Sequence, residues 1–163
     1  MEGVPIRAAR RGDIPSLLLL WEQMMKENAA LDDRLEIHPR AKEHWATPLQ
    51  TWLQDPDHIV VVAEEAGRLV VGYAAGSIVP SPNWEADTKL GEVSDCFVVG
   101  PRRRRGIARR LVGRILDQLF EKGVSQMRLQ AAARNESSVA FWRSIGWEVS
   151  EEIFEKDVEG ESA

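Results

Sequence analysis

The residues best suited to chemistry stand in one run, Val98-Val99-Gly100-Pro101-Arg102-Arg103-Arg104-Arg105-Gly106-Ile107-Ala108. A strand-like segment ends at Val99, and Ile107 opens the most regular amphipathic helix pattern in the chain. The first four N–H groups of a helix have no partner inside it. Ser, Thr, Asp or Asn normally caps them, and none stands here. Four arginines crowd the positive end of the helix dipole instead, which is unfavourable in isolation. A bound anion resolves the conflict: backbone amides from about Arg104 to Ala108 would face a phosphate, with Gly106 allowing close approach. A G-x-x-x-x-G-K-[ST] loop is excluded because its Lys and Ser/Thr are missing. The G-x-G-x-x-G dinucleotide turn does not fit either.

The elements that must position this run follow from the apolar spacing. Val4 to Ala8 reads as a short strand, and a helix follows from about Asp13, a candidate cap with Pro15 in the first turn. A second helix spans about Pro39 to Gln54, with Ala41, Trp45, Leu49 and Trp52 or Leu53 on one face. His58 to Glu64 and Arg68 to Val79 are strand-like runs joined by a tight turn containing Gly67. Leu90 to Val99 is another strand, and Ser81-Pro82-Asn83 marks the loop before it. In the third helix Ile107, Ala108, Leu111, Val112, Ile115, Leu116, Leu119 and Phe120 form a wide apolar stripe, and Gly123 ends it. A strand at Gln126 to Ala131, a short helix from Glu136 to Ser144, and one or two strands within Trp147 to Val158 complete the order βααβββαβαββ. The β-α-β unit from 90 to 131 predicts a parallel pair with a right-handed crossover, inside an otherwise antiparallel sheet.

Composition removes several function classes. At 163 residues the chain fits a single domain, 1–163, and 44% apolar with 29% charged residues excludes disorder and coiled coil. The single cysteine, Cys96, excludes an internal disulfide framework and a Cys-based zinc site. His38, His44 and His58 lack paired ligand spacing, so no metal is expected. The apolar runs Leu17 to Trp21 and Ile59 to Ala63 fall far short of the roughly 20 residues of a membrane span. With Glu2 where a secretory signal would be basic, the expected setting is cytoplasmic. Six of the 21 basic residues are the arginines between 102 and 110, leaving 15 against 26 acidic residues elsewhere. One anion-binding spot on an acidic protein argues against a nucleic-acid partner.

Arg103-x-x-Gly106-x-Ala108 resembles the R/Q-x-x-G-x-G/A signature of the GNAT N-acetyltransferases, whose loop holds the pyrophosphate of acetyl-CoA. Glu92-Val93-Ser94-Asp95-Cys96-Phe97-Val98-Val99 looks like that family's fourth strand. Asn135-x-x-Ser138-x-x-Phe141-Trp142-x-x-x-Gly146-Trp147 is similar to its N-x-x-A-x-x-F-Y-x-x-x-G-F motif, and the element order matches over essentially the whole chain. The resemblance implies an α/β fold, with a mixed, mostly antiparallel sheet of six to seven strands splayed at a central parallel pair and about four flanking helices. It places the pantetheine arm in that splay, against main-chain groups of Phe97, Val98 and Val99. It places the phosphates at Arg103, Arg104, Arg105, Gly106, Ile107 and Ala108, and Asn135, Ser138 and Trp142 along the groove.

By the same resemblance the Val98 N–H polarises the thioester carbonyl and Glu92 serves as base, with Asp95 in reserve. Strict alternation puts Glu92, Ser94, Cys96 and Val98 on one face and Asp95 with Phe97 on the other. The chain departs from the family at Trp142, where many relatives have a tyrosine that protonates the leaving thiolate. Ser137, Ser138 or water would then supply that proton. Cys96 reads as a small buried hydrophobe and Tyr73 as packing. Asp32, Asp33 and Glu36 fall where an acceptor wall usually forms, and Trp84 is a candidate lid. The implied activity is direct transfer of acetyl from acetyl-CoA to a primary amine of a small molecule or a protein, with homodimers common among similar proteins. The alternative is a non-catalytic CoA-binding regulatory module.

Overall fold

The computed structural model describes residues 3–81 and 89–158. Strand β1 (Ile6–Ala8) leads through a short 3-10 turn into helices α1 (Ile14–Leu31) and α2 (Ala41–Trp52). Then follow β2 (His58–Glu65), β3 (Leu69–Val79), β4 (Lys89–Val98), α3 (Ile107–Glu121), β5 (Val124–Leu129) and α4 (Glu136–Ser144). One sheet runs β1-β2-β3-β4-β5, antiparallel except for the parallel β4–β5 pair. The predicted crossover through α3 is therefore present.

Both faces of the sheet are covered, so β2 is apolar at successive positions rather than alternating with polar residues. Ile59, Val61 and Ala63 pack with Leu111, Ile115 and Leu119 of α3 and Trp142 of α4. Val60 and Val62 face the other way, onto Leu17 and Leu20 of α1, Leu49 of α2, Tyr73 and Phe97. The α3 stripe is buried at Ile107, Leu111, Val112, Ile115 and Leu119, but Phe120, predicted to belong to it, is 77% exposed. At the outer edge Arg7 holds Asp13 through two 2.8 Å bonds and also grips Glu64. Asp13 accepts the Arg10 N–H at 2.7 Å, so its carboxylate locks the chain entry and does not cap α1.

The sheet has five strands among the described residues, not six to seven. Trp147 packs on the core, yet Glu148 through Val158 form no strand and are all exposed. Val149, Ile153, Phe154 and Val158 do not alternate with their acidic neighbours Glu148, Glu151, Glu152, Glu155 and Asp157. No pleated face could bury the apolar set alone, and the like charges repel.

A β-bulge corrects a second expectation. Ala75 pairs with Asp95, but Gly76 pairs with Val93, leaving Ser94 as the extra residue. Ser94 Oγ donates to the Ala75 carbonyl at 3.3 Å. Alternation therefore reverses at Ser94. Glu92 opposes Ser77 and shares the α1/α2 face with Asp95 and Phe97, while Cys96 and Val98 face α3.

Gly76 makes this approach feasible, because a Cβ there would lie 2.6 Å from Ile115 Cγ2 and 3.0 Å from the Glu92 carbonyl. Gly113, inside α3, has open space at the same point. Gly76→Val should therefore lower unfolding free energy by about 2 kcal/mol. Gly113→Ala should raise it by about 0.5–1 kcal/mol, both read from urea titrations.

Candidate active site

The turn before α3 leaves backbone donors unspent. Arg102 N–H bonds the Val99 carbonyl and Arg103 N–H the Gly100 carbonyl, and the first helical bond runs from Arg110 N–H to the Gly106 carbonyl. The intervening amides, Arg104 through Arg109, have no acceptor among the described residues. Gly106 occupies the cap position with φ 77° and no capping side chain, and Arg104 is also left-handed at φ 62°. Such backbone turns successive amides toward an anion-binding concavity.

The arginines divide by role. Arg102 forks onto Glu65, and Arg110 Nη1 donates to the Val4 carbonyl at 2.6 Å. Arg103 Nε donates to the Val98 carbonyl and its Nη2 to Glu27, each at 2.7 Å, with the guanidinium 5.1 Å over the Phe97 ring. Arg104, Arg105 and Arg109 are exposed and hold no ion pair among the described residues. Of the arginine side chains expected at a phosphate, Arg103 is thus turned onto β4, while Arg104 and Arg105 stay free beside the unspent amides.

The β4–β5 ladder ends at Val93 and Leu129, and β4 continues to Val98 paired only with β3. Val99 N–H bonds the Val71 carbonyl on the β3 side. Strand geometry then turns the Val98 N–H and C=O to the opposite edge, into the gap where β5 has ended. Beyond that gap Asn135 opens α4: its Oδ1 accepts the Ser138 N–H at 3.1 Å and its Nδ2 donates to Asn28 Oδ1 at 2.9 Å. Ser138 is half-buried. Trp142 is buried, edge-on to Phe141 and Trp147 in the core.

On the α1/α2 face, Glu92 pairs with Arg128 of β5 at 3.1 Å. Asp95 is half-buried, and desolvation pushes its carboxyl up to about 6, partly offset by the neighbouring Tyr73 hydroxyl. That hydroxyl is buried without a hydrogen-bond partner at bonding distance, and burial with the Asp95 charge raises its pKa. Cys96 lies against the α3 core, where burial pushes the thiol up to about 12. That shift disfavours a thiolate at Cys96 near neutral pH. Asp32 is held low by Arg34 and also meets Arg134, which reaches the exposed Asp33 at 3.5 Å as well, and Glu36 is exposed. Trp84 lies outside the described residues. No three His, Cys, Asp or Glu side chains converge as a metal site among the described residues. No helix among them is long and apolar enough to cross a membrane.

The Acetyltransferase (GNAT) family description matches residues 21–147. The chain belongs to the GNAT family. An uncharacterized N-acetyltransferase of Methanocaldococcus jannaschii is 24% identical over 136 residues, 76% of this chain and 58% of that protein. The chain thus spans less than two thirds of that relative's length. A tetramutant of the BH1408 protein of Bacillus halodurans superposes with a TM-score of 0.83 at 20% identity, covering 94% of this chain and 99% of that one. The aminoglycoside N-acetyltransferase AAC(6')-Iy, solved with CoA, gives 0.75 at 18% identity, covering 97% and 96%. This GNAT chain therefore shares their fold. Within it, sequence reasoning missed Glu27 and Asn28 of α1, which reach Arg103 and Asn135 across 76 and 107 positions. No local spacing carries such a signal.

Asp95 gives this site a pH signature. Its carboxyl keeps a proton in the folded chain up to about pH 6, against an ordinary value of 3.8. Stability should fall as pH rises from 4 to 6 and stay lower above that. Asp95→Asn should flatten that slope and add on the order of 2 kcal/mol at pH 7.5. Urea unfolding of both proteins at pH 4.5 and 7.5 checks it.

Proposed function

We propose that the chain is an acetyl-CoA-dependent N-acetyltransferase that moves an acetyl group directly to a primary amine of a small molecule or a protein. The observation that carries this reading is the run of unspent amides from Arg104 to Arg109, set at the same end of the sheet as the unpaired edge of β4. These groups fit a ligand with a diphosphate at one end and an amide-bearing arm at the other. The amides of Arg104, Arg105, Gly106, Ile107 and Ala108 would hold the diphosphate, with the Arg104 and Arg105 side chains adding charge. The Val98 main chain, with Asn135, Ser138 and the Trp142 side of α4, would line the arm; of the three main-chain positions expected there, Phe97 is paired with Tyr73 of β3, and Val99 spends its N–H on Val71 and its carbonyl on Arg102. Relatives solved with CoA support the assignment, as in the aminoglycoside acetyltransferase above.

Acetyl-CoA would supply an activated acetyl thioester, in which a C–S bond breaks as a C–N bond forms. The Val98 N–H, facing the gap, would donate to the carbonyl oxygen as negative charge grows there. Glu92 would take the amine's proton, directly or through water, and Asp95, on the same face, is the second candidate. Two carboxylates on the α1/α2 face favour a cationic acceptor, which must lose a proton before it attacks. Trp142 has no proton to give at neutral pH, so Ser137, Ser138 or water would protonate the thiolate. We further propose that 1–163 acts as one domain in the cytoplasm, without nucleic-acid or membrane partners, and that a homodimer suits this fold. The tryptophan at 142 also suits a non-catalytic CoA-binding regulator. Thiol release with any amine in a broad panel separates the two.

Gly106→Val should abolish CoA binding by calorimetry with an unchanged circular dichroism spectrum, because a β-branched residue resists φ 77°. Unchanged affinity would defeat the assignment. With an acceptor in hand, Glu92→Gln should lower kcat by about 100-fold while CoA affinity holds. Wild-type turnover across pH would remove Glu92 from the mechanism.

A further inference from the structure

Val98 is the last residue of β4, five positions beyond its last ladder contact with β5. A strand end that has lost its neighbour on one edge tends to fray, and its peptide groups lose a fixed direction. Here the missing donor is replaced. Arg103 Nε meets the Val98 carbonyl at 2.7 Å, and the guanidinium lies over the Phe97 ring. Glu27 of α1 accepts from Nη2 at 2.7 Å, which fixes the fork from behind. The Val98 N–H and C=O leave the strand on the same side, so holding the carbonyl also aims the N–H.

We propose that Glu27, acting through Arg103, is a positioning residue that fixes the Val98 peptide in its transfer-competent direction. The inference rests on the acetyltransferase reading above. It reassigns the first arginine of the R-x-x-G-x-A run: its charge is spent on Glu27 and its Nε on β4, so it tunes turnover rather than CoA affinity. Glu27 and Arg103 are about half exposed at 48% and 43%, and such a pair adds little to global stability. Loss of the pair should therefore act on orientation without unfolding the chain.

Three readouts decide it: CoA affinity by calorimetry, amide hydrogen exchange at Val99, whose N–H bonds Val71 and shares a peptide with the Val98 carbonyl, and kcat in thiol release. Glu27→Gln should leave affinity within about twofold, speed exchange at Val99 about tenfold and lower kcat about tenfold, since small misplacements at a reacting centre are costly. Arg103→Lys, a point charge without a fork, should behave alike, and Arg103→Gln, which still offers one donor to the carbonyl, should recover part of the loss relative to Arg103→Ala. Glu22→Gln, removing another α1 carboxylate paired with Lys26 and Lys42, should change none of the three. The proposal is overturned if Glu27→Gln weakens CoA binding at unchanged kcat, or leaves exchange at Val99 at the wild-type rate. A wild-type chain that binds no CoA would instead sink the acetyltransferase reading itself.

Discussion

Backbone hydrogen-bond accounting governs this molecule. A folded chain satisfies nearly all its N–H and C=O groups, and exceptions require a reason. Here, among the described residues, two sets lack backbone partners at one end of the sheet: the amides from Arg104 to Arg109, and the edge of β4 past Val93, where the Arg103 side chain takes the Val98 carbonyl. Both follow from the parting of β4 and β5. If the strands stayed paired, the gap would close and the α3 entrance would face protein. The unspent groups exist because the sheet opens where a helix begins.

The bulge at Ser94 converts that opening into a site with two sides. It lets Glu92 and Asp95 share a face with Tyr73 and Phe97, while Cys96 and Val98 turn to α3. Gly76 permits it by letting Ile115 press against β3 beside the inserted residue. Carboxylates thus gather under α1 and α2, and the anion-seeking amides lie at the start of α3 beside α4. Opposite charge preferences occupy opposite ends of one short gap.

Much of this was legible in the sequence, and the reasons differ by element. The α3 stripe, the Gly67 turn and the uncapped arginine run are local patterns with local physics. The bulge was not legible, since Val93-Ser94-Asp95 carries no glycine or proline to announce an extra residue. Residues 147–158 read as strand from their apolar content, but their acids leave no buried face. Arg103 read as a phosphate ligand because its partner Glu27 lies 76 positions away.

The sole cysteine carries a practical corollary. Cys96 is packed against the α3 core and its thiol holds its proton to about pH 12. Oxidants and disulfide exchange act on thiolates, so this shift disfavours both reactions at Cys96 near neutral pH. In the proposed acetyltransferase this sulfur would be a poor acceptor for the acyl group and a poor site for cross-linking.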